Sequence, residues 1–495
     1  MKGVPPRVIQ LAAIPIAISA MMLAFPPHPL AAAEIPDEPL PKSFNDEWCA
    51  YRTAHFELRT DLGHRQALRT IGGLNRFRRL FLALFPDASG NASLPVTMLV
   101  FRRVRDFAEA TGATRYAGVT LPSMREYRLL AARGQLGAPT ENVWHEYAHY
   151  LLRTRTGHNY PLWYEEGLAT YLGAADLNRD RVRLGKLPHR PLQRAAHDDS
   201  VSFQAVIGAT SVTGLDSAEL LSFYGKAWLL THFIRHGHEA GYPDWRPALA
   251  RYVSGAERDF DAAFGQSPTQ AGELLKQYLD RRRLPGATLD LPRAETPSPT
   301  RRCLSAAERD YELALSITPL NRPVAIRALE AMAHDALRLT ALARAVWDDD
   351  ERARNLVDRA LALAPADPEA NVLFAHLLVR GCEFSSASEC IGRWARAAER
   401  YRRVLEGNPE RYDAAYGLGV AYLHTGRAAN AMAHLRLAYD KMPWDASVNF
   451  YLGEGYRLAG DPRATVHLRN ARNWAADADW RRRAEFALQR LRDGG

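Results

Sequence analysis

The sequence predicts two kinds of fold in one chain, an α+β domain with a mixed sheet followed by helices, and an all-α solenoid of helical repeats. In the first half, short apolar segments typical of strands stand between longer segments with apolar residues at helical spacing. In the second half, small and apolar residues recur with a period of 34. The two parts meet at residues 284–302, where four prolines indicate a linker.

The composition excludes several classes of protein. The chain has 495 residues, of which 47% are hydrophobic and 24% charged, so it is neither disordered nor collagen-like. Because domains usually contain about 100–200 residues, two or three are expected. The net charge of +8 comes from basic residues scattered along the chain. Such residues are typical of solvated helix faces, and we expect no nucleic-acid partner.

The first 33 residues have the pattern of a secretory signal peptide. Lys2 and Arg7 precede an apolar stretch, Val8–Phe25, and a small-residue run, Ala31–Ala33, follows. We predict cleavage after Ala33, which leaves an exported chain, periplasmic or secreted, with no stable membrane span. The alternative is a retained anchor, although Pro15 and the modest apolar length disfavour a full span of about 20 residues.

The α+β domain is predicted to occupy residues 44–283, and its strands and helices follow from the spacing of apolar residues. The predicted elements are a strand at His55–Thr60, a helix at 64–85, strands at Leu94–Phe101 and Glu126–Ala132, a helix that begins near Thr140 and runs through Leu152, and helices around Phe223–His236 and Gln270–Arg283. Thr140 is the expected capping residue of its helix.

The repeats fill most of a predicted helical domain at 303–495. Leu418-Gly419-x-x-Tyr422 recurs 34 positions later as Leu452-Gly453-x-x-Tyr456. This pattern, over about 303–477, resembles the tetratricopeptide repeat, a helix–turn–helix unit whose small residues let paired helices approach closely. The resemblance implies a concave surface for a protein partner, which is either a substrate or a regulator.

Four cysteines suggest how the exported chain is cross-linked. Cys382 and Cys390 lie eight positions apart within an insertion between repeats, and a disulfide there suits an oxidising compartment. Cys49 and Cys303 are left to pair with each other or to be buried. The sequence does not contain the paired spacing typical of cysteine zinc sites.

The segment His145-Glu146-Tyr147-Ala148-His149 has the spacing of a zinc site. Positions i and i+4 share one face of a helix, so both imidazoles can face one ion. Glu146 can then act on a water molecule at that ion as general base, without being a ligand. The alternative is that both histidines are hydrogen-bonded within a helical core.

A third ligand is needed, and two neighbouring acids are candidates. Glu166 follows His149 by 17 positions, so a second helix can return past the first. Because consecutive helical residues differ by about 100°, only one of the pair can face the metal. We predict Glu166. Glu165 is the alternative ligand, and otherwise it is expected to be a solvated acid or one that favours the helix dipole near an N-terminus.

These residues resemble the gluzincin metallopeptidases of the peptidase-MA superfamily. The matching pieces are His145-Glu146-x-x-His149 and Trp163-x-x-Glu166-Gly167-x-Ala169-x-Tyr171. The resemblance implies that His145, His149 and Glu166 bind Zn²⁺ and that Glu146 is the base and proton shuttle. A further match, Tyr224-Gly-Lys226-Ala-Trp228, implies that Tyr224 stabilises the oxyanion; a packed helix tyrosine is the alternative.

One departure from the family bears on specificity. Related aminopeptidases hold the substrate amine with a Gly-x-Met-Glu-Asn strand before the metal helix, and the segment here reads Tyr127-Arg-Leu-Leu-Ala-Ala-Arg133. An endopeptidase is therefore favoured over an aminopeptidase. We expect that strand to form a sheet edge on which an extended peptide can pair.

The sequence thus predicts an exported zinc-dependent peptidase that hydrolyses peptide bonds with a metal-activated water and a Glu general base. One alternative is a non-catalytic protein-interaction module with a vestigial metallopeptidase domain. Another is a zinc hydrolase of a non-peptide amide, such as cell-wall material.

Overall fold

A computed structural model describes most of the chain. The described residues are 39–86, 94–113, 117–133, 141–156, 160–177, 181–188, 194, 196–212, 214–254, 257, 259–291, 298–332, 334–382, 388–475 and 478–493. The predicted signal segment, 1–33, and the predicted capping residue Thr140 lie outside these residues.

The first half is built on a mixed sheet, as predicted. The strands are β1 (Cys49–Arg52), β2 (Glu57–Thr60), β3 (Val96–Phe101), β4 (Gly118–Pro122), β5 (Tyr127–Ala132), β6 (Arg181–Arg183), β7 (Thr288–Asp290) and β8 (Thr300–Cys303). Among the described residues, six strands form one sheet in the order β4-β5-β3-β2-β1-β8. The β2–β3 and β3–β5 pairs are parallel, and the other pairs in this sheet are antiparallel. Strand β3 is buried along its whole length, as expected of a central strand.

The edge of this sheet is not where the sequence placed it. Strand β5 was expected to be an edge, and this is wrong, because β5 is paired with β3 on one side and β4 on the other. The edge is β4, Gly118–Pro122. Its five residues include a glycine and a proline, so neither their composition nor their pattern indicates a strand.

Two short strands lie within the Pro-rich segment 284–302. Strand β8 pairs with β1, and this register sets Cys303 opposite Cys49. The two cysteines form a disulfide, and Cys382 forms a second one with Cys390. Strand β7 pairs with β6. The segment therefore closes the sheet, although its prolines are typical of a linker.

The helices occupy the places that the apolar spacing predicts. They are α1 (His64–Leu84), α2 (Val104–Thr111), α3 (Glu141–Thr156), α4 (Leu162–Gly173), α5 (Phe203–Gly208), α6 (Ser217–His236), α7 (Arg246–Ser254), α8 (Phe260–Phe264), α9 (Pro268–Leu279), α10 (Ala306–Ile317), α11 (Arg322–Glu330), α12 (Ala336–Ala345), α13 (Asp350–Leu363), α14 (Pro368–Val379), α15 (Ser388–Gly407), α16 (Tyr412–His424), α17 (Ala428–Lys441), α18 (Ala446–Leu458), α19 (Arg463–Trp474) and α20 (Ala478–Arg492). In the described part of the chain, no helix is both long and apolar enough to span a membrane.

The described residues form two compact units. One contains the sheet, α1–α3, the second half of α4 and all of the repeat helices. The other contains the first half of α4, residues 161–168, and α5–α9 within 187–285. This helical unit is centred on α6, whose Trp228 and Phe233 are fully buried. Its core includes the pair His232–Tyr278, whose Nδ1 and Oη atoms lie 2.9 Å apart.

The repeat helices pack in successive pairs, and glycines set the distance between them. A Cβ added to Gly417 would lie 2.4 Å from the Tyr401 ring, and one on Gly453 would lie 2.8 Å from Leu468. Gly426 and Gly460, which differ by 34 in number, have φ of 72° and 66° in the turns between paired helices. These glycines are therefore required by close packing and by left-handed turns, as the repeat pattern predicts.

Candidate metal centre and active site

Helix α3 presents His145 and His149 on one face. Their Nε2 atoms lie 3.1 Å apart, and their ring centroids are separated by 4.8 Å. His149 is buried and His145 is half-buried. The i,i+4 spacing thus brings two imidazole nitrogens to one place, as predicted for metal ligands.

The second half of α4 packs closely on α3. Thr170 Oγ1 lies 3.4 Å from His145 Nδ1, and a Cβ on Gly173 would lie 3.3 Å from the Glu141 carbonyl oxygen. Because α4 is one continuous helix, Glu166 lies one turn before Thr170 on the same face. One ligand atom each from His145, His149 and Glu166 lies within 4.8 Å of the others.

The donor set fits zinc. Two imidazole nitrogens and one carboxylate oxygen are the protein ligands of many catalytic zinc sites, which keep a further position open. Glu165, the alternative ligand, lies in the first turn of α4, as an acid near a helix N-terminus should. It is only 5% exposed, however, so the expectation that it is solvated is wrong.

Glu146, the candidate base, is held by the edge strand β4. The Thr120 hydroxyl donates a hydrogen bond of 2.7 Å to Glu146 Oε2, and it also lies 3.1 Å from the Glu146 carbonyl oxygen. A Cβ on Gly118 would lie 2.7 Å from both Cγ and Oε1 of Glu146. Sequence reasoning missed Thr120 because β4 itself was not predicted, and only the pairing of β4 with β5 brings it to α3.

Tyr224 and Lys226 both lie on α6. Tyr224 is half-buried, and its ring meets that of Phe223 edge-on. Its role as oxyanion stabiliser stays a prediction. Lys226, for which the sequence offers no role, is 1% exposed and donates hydrogen bonds to the carbonyl oxygens of Asp198 and Val201. It therefore ties the segment before α5 to α6, and burial lowers the pKa of its ammonium group.

A second group of carboxylates lies away from the histidines. Oxygen atoms of Asp46, Asp61 and Asp106 lie within 4.8 Å of one another. Asp61 is 2% exposed; its Oδ1 accepts a hydrogen bond from the Arg102 backbone amide, and its Oδ2 has no hydrogen-bond partner in the described structure. Burial raises the pKa of Asp61 to about 6, against the opposing effect of Arg102. A buried carboxyl with such a pKa is partly protonated near neutral pH, so this group differs from the histidine site in its chemistry.

Comparison with known proteins supports the assignment of the repeats. The family model for the tetratricopeptide repeat matches residues 391–446, which span α15, α16 and α17. The repeat region therefore contains tetratricopeptide repeats. No curated protein matches the chain.

Several solved structures are similar to part of the chain. TTC0263, a thermophilic TPR protein from Thermus thermophilus, is 21% identical over 37% of this chain and 99% of its own, with a TM-score of 0.31. YrrB, described as a TPR protein with an unusual peptide-binding site, is 16% identical over 36% of this chain and 91% of its own, with a TM-score of 0.27. A MamA variant is 22% identical over 34% and 95% of the two chains, with a TM-score of 0.27. None of these titles describes a peptidase.

Proposed function

We propose that the chain is an exported, zinc-dependent peptidase whose tetratricopeptide repeats serve a protein-binding role. One observation carries the proposal: His145, His149 and Glu166 place ligand atoms within 4.8 Å of one another, and Glu146 stands next to the first histidine. Two imidazoles, a carboxylate and an adjacent base form the set of groups that zinc hydrolases use.

The protein groups have separate tasks in this proposal. Zinc, when bound by His145, His149 and Glu166, supplies a positive charge that acidifies water and polarises a carbonyl group. The Glu146 carboxylate takes the proton of the attacking water and later gives it to the leaving amine. The Thr120 hydroxyl holds one oxygen of this carboxylate and so limits its rotation. By the family resemblance, Tyr224 would stabilise the oxyanion.

A second candidate function is a protein-interaction module without turnover. It is favoured by the match of residues 391–446 to the tetratricopeptide repeat, since such repeats commonly bind protein segments. In that case the histidine site is vestigial. Hydrolysis of a non-peptide amide, such as cell-wall material, is a third candidate, because the same groups could attack either kind of amide.

Metal content and turnover, measured on the same preparations, separate these functions. The purified chain should contain one equivalent of zinc and cleave casein, and a chelator should abolish cleavage. Glu166→Ala should lose the zinc, because two imidazoles alone bind it weakly. Glu146→Gln should keep the zinc and lose at least about a hundredfold in kcat, since general base catalysis contributes about that much.

The outcomes point to different conclusions. Wild-type activity in Glu146→Gln would refute the assignment of the base. Zinc bound without cleavage of casein or of peptidoglycan fragments would favour the interaction module, whereas cleavage of peptidoglycan alone would favour the third candidate.

Export is part of the proposal and has its own support. The signal pattern at 1–33 precedes a chain whose four cysteines form two disulfides, and disulfides persist in oxidising compartments. N-terminal sequencing of the protein from the cell exterior or periplasm should begin at Glu34.

A further inference from the structure

The turn between β4 and β5, residues 123–126, directs Arg125 toward the repeats. The Ser123 hydroxyl accepts hydrogen bonds from the backbone amides of Arg125 and Glu126 and donates one of 2.7 Å to the Glu126 carbonyl oxygen. A side chain that bonds its own turn in this way fixes the backbone conformation. The position of Arg125 relative to both strands is therefore well defined.

Arg125 enters a pair of carboxylates that belong to successive repeats. Its guanidinium forms an ion pair with Glu369 at the start of α14, and its Nε lies 4.0 Å from Asp413 Oδ2 at the start of α16. Arg411 lies 3.1 Å from Glu369 and 2.7 Å from Asp413, so the network is shared. Although burial opposes it, the hydrogen bonds and charge of Arg411 hold the pKa of Asp413 below its usual value. Both carboxylates are thus kept ready for a guanidinium.

Neighbouring residues extend this contact along β5 and α3. Arg128 donates to Glu312 and Ser316 of α10 at 3.1 and 2.7 Å. The rings of Tyr127 and Trp444 lie 6.1 Å apart. The sheet contributes arginines and the repeats contribute acids, so the two surfaces are complementary in charge.

The other end of β4 touches the candidate base. Thr120 is hydrogen-bonded to Glu146, and Gly118 permits the close approach of that carboxylate. Only five positions separate Thr120 from Arg125, and β4 is held on one side alone, by its pairing with β5. A short edge strand is easily frayed, so its outer end needs an anchor.

We infer that Arg125 is a positioning residue, which anchors β4 to the repeats and so keeps Thr120 in place against Glu146. The repeats thereby act on the candidate active site through the chain's own arginine. The catalytic consequence rests on the proposed function, whereas the anchoring of β4 does not.

Amide hydrogen exchange of the full chain tests the anchoring directly. In Arg125→Ala, the amides of Gly118–Pro122 should exchange at least about fivefold faster, since the strand loses its outer support. Arg125→Lys should restore part of the protection, because it keeps the charge. Arg105→Ala is the matched control: Arg105 also pairs with a glutamate but is exposed on α2, and its loss should leave β4 unchanged.

Kinetics test the consequence for Glu146. If the chain is active, Arg125→Ala should lower kcat by about threefold to tenfold, with KM and zinc content unchanged. Thr120→Val should lower kcat similarly without changing exchange in β4, and Thr120→Ser should be close to wild type. This split between exchange and kcat distinguishes anchoring from direct support of the carboxylate.

A double-mutant cycle covers the case in which Arg125→Ala is poorly folded. Glu369→Gln should accelerate exchange in β4 as Arg125→Lys does, and the double variant should be no worse than the single ones, because both remove one interaction. Unchanged exchange in β4 on loss of Arg125, or additive effects in the cycle, would overturn the inference. A wild-type chain without turnover would refute the proposed function, while exchange would still decide the anchoring.

Discussion

Gly118 and Thr120 place the backbone of β4 directly against the Glu146 carboxylate. The space at Gly118 is so small that any side chain there would overlap the Cγ and Oε1 atoms of Glu146. A single methyl group can therefore test the candidate base without touching a predicted metal ligand.

We predict that Gly118→Ala keeps its zinc and loses at least about tenfold in kcat, because the new Cβ displaces Glu146 from its position. Enzyme kinetics and metal analysis of the same preparation check this. Gly72→Ala is the control: a Cβ at Gly72, within α1, meets no atom within 4 Å, and this variant should be fully active and slightly more stable. Full activity of Gly118→Ala would show that the position of Glu146 does not matter.

Residue-level prediction succeeded where the chemistry is local and failed where it depends on pairing between strands. The spacing of His145 and His149 on one helix, and the single turn that joins Glu166 to Thr170, follow from helix geometry alone. Thr120 carries no such signal, because its contact with Glu146 depends on the register of β4 against β5. Glu165 shows a different limit, since sequence spacing does not reveal that an acid is buried.

The repeat helices contain histidines that are held neutral. Burial lowers the pKa of His376, His424 and His467 to about 4 in each case. His424 stacks on Trp394 with ring centroids 4.3 Å apart, an arrangement that leaves little room for a hydrated charge. These side chains therefore couple the stability of the repeats to pH.

We predict that the repeats lose stability as the pH falls from about 6.5 to about 4. The folded pKa values lie below the ordinary value, so the unfolded chain takes up protons first, and each histidine costs on the order of 1 kcal/mol. Thermal unfolding followed across this pH range should show the loss. In His424→Phe, which keeps the stacking and removes the titrating group, the dependence should be shallower; an identical dependence would contradict the assignment.

At the level of elements, long segments with clear spacing were predicted well and short ones were not. The helix α1 and the strands β3 and β5 lie where the pattern places them, within a few residues. Strands β1 and β4 contain four and five residues and lack strong alternation, so they were missed. Strand β8 was missed because its neighbouring prolines are typical of a linker, and its pairing with β1 is not local in sequence.

The Cys49–Cys303 disulfide joins positions 254 residues apart and spans both compact units in sequence. The sequence left the partners of these cysteines open, because nothing local relates β1 to β8. A cross-link over so long a segment strongly restricts the unfolded chain, whereas Cys382–Cys390 closes a loop of only eight.

We predict that Cys49→Ser/Cys303→Ser lowers the free energy of unfolding by roughly 2–5 kcal/mol, and that Cys382→Ser/Cys390→Ser lowers it less. The difference arises because closing a longer loop removes more conformational entropy from the unfolded chain. Calorimetry of both variants beside the wild type measures it. A larger loss from the shorter loop would mean that loop entropy is not the main contribution.

The ion pair of Arg125 with Glu369 also affects what the repeats can bind. Because the arginine belongs to the same chain, it competes with any external guanidinium as a tethered ligand does, at an effective concentration on the order of millimolar. A diffusing ligand that relies on one arginine alone would therefore be outcompeted at micromolar levels. Recognition of another protein at these carboxylates requires additional contacts elsewhere on its surface, which makes the array selective for extended ligands.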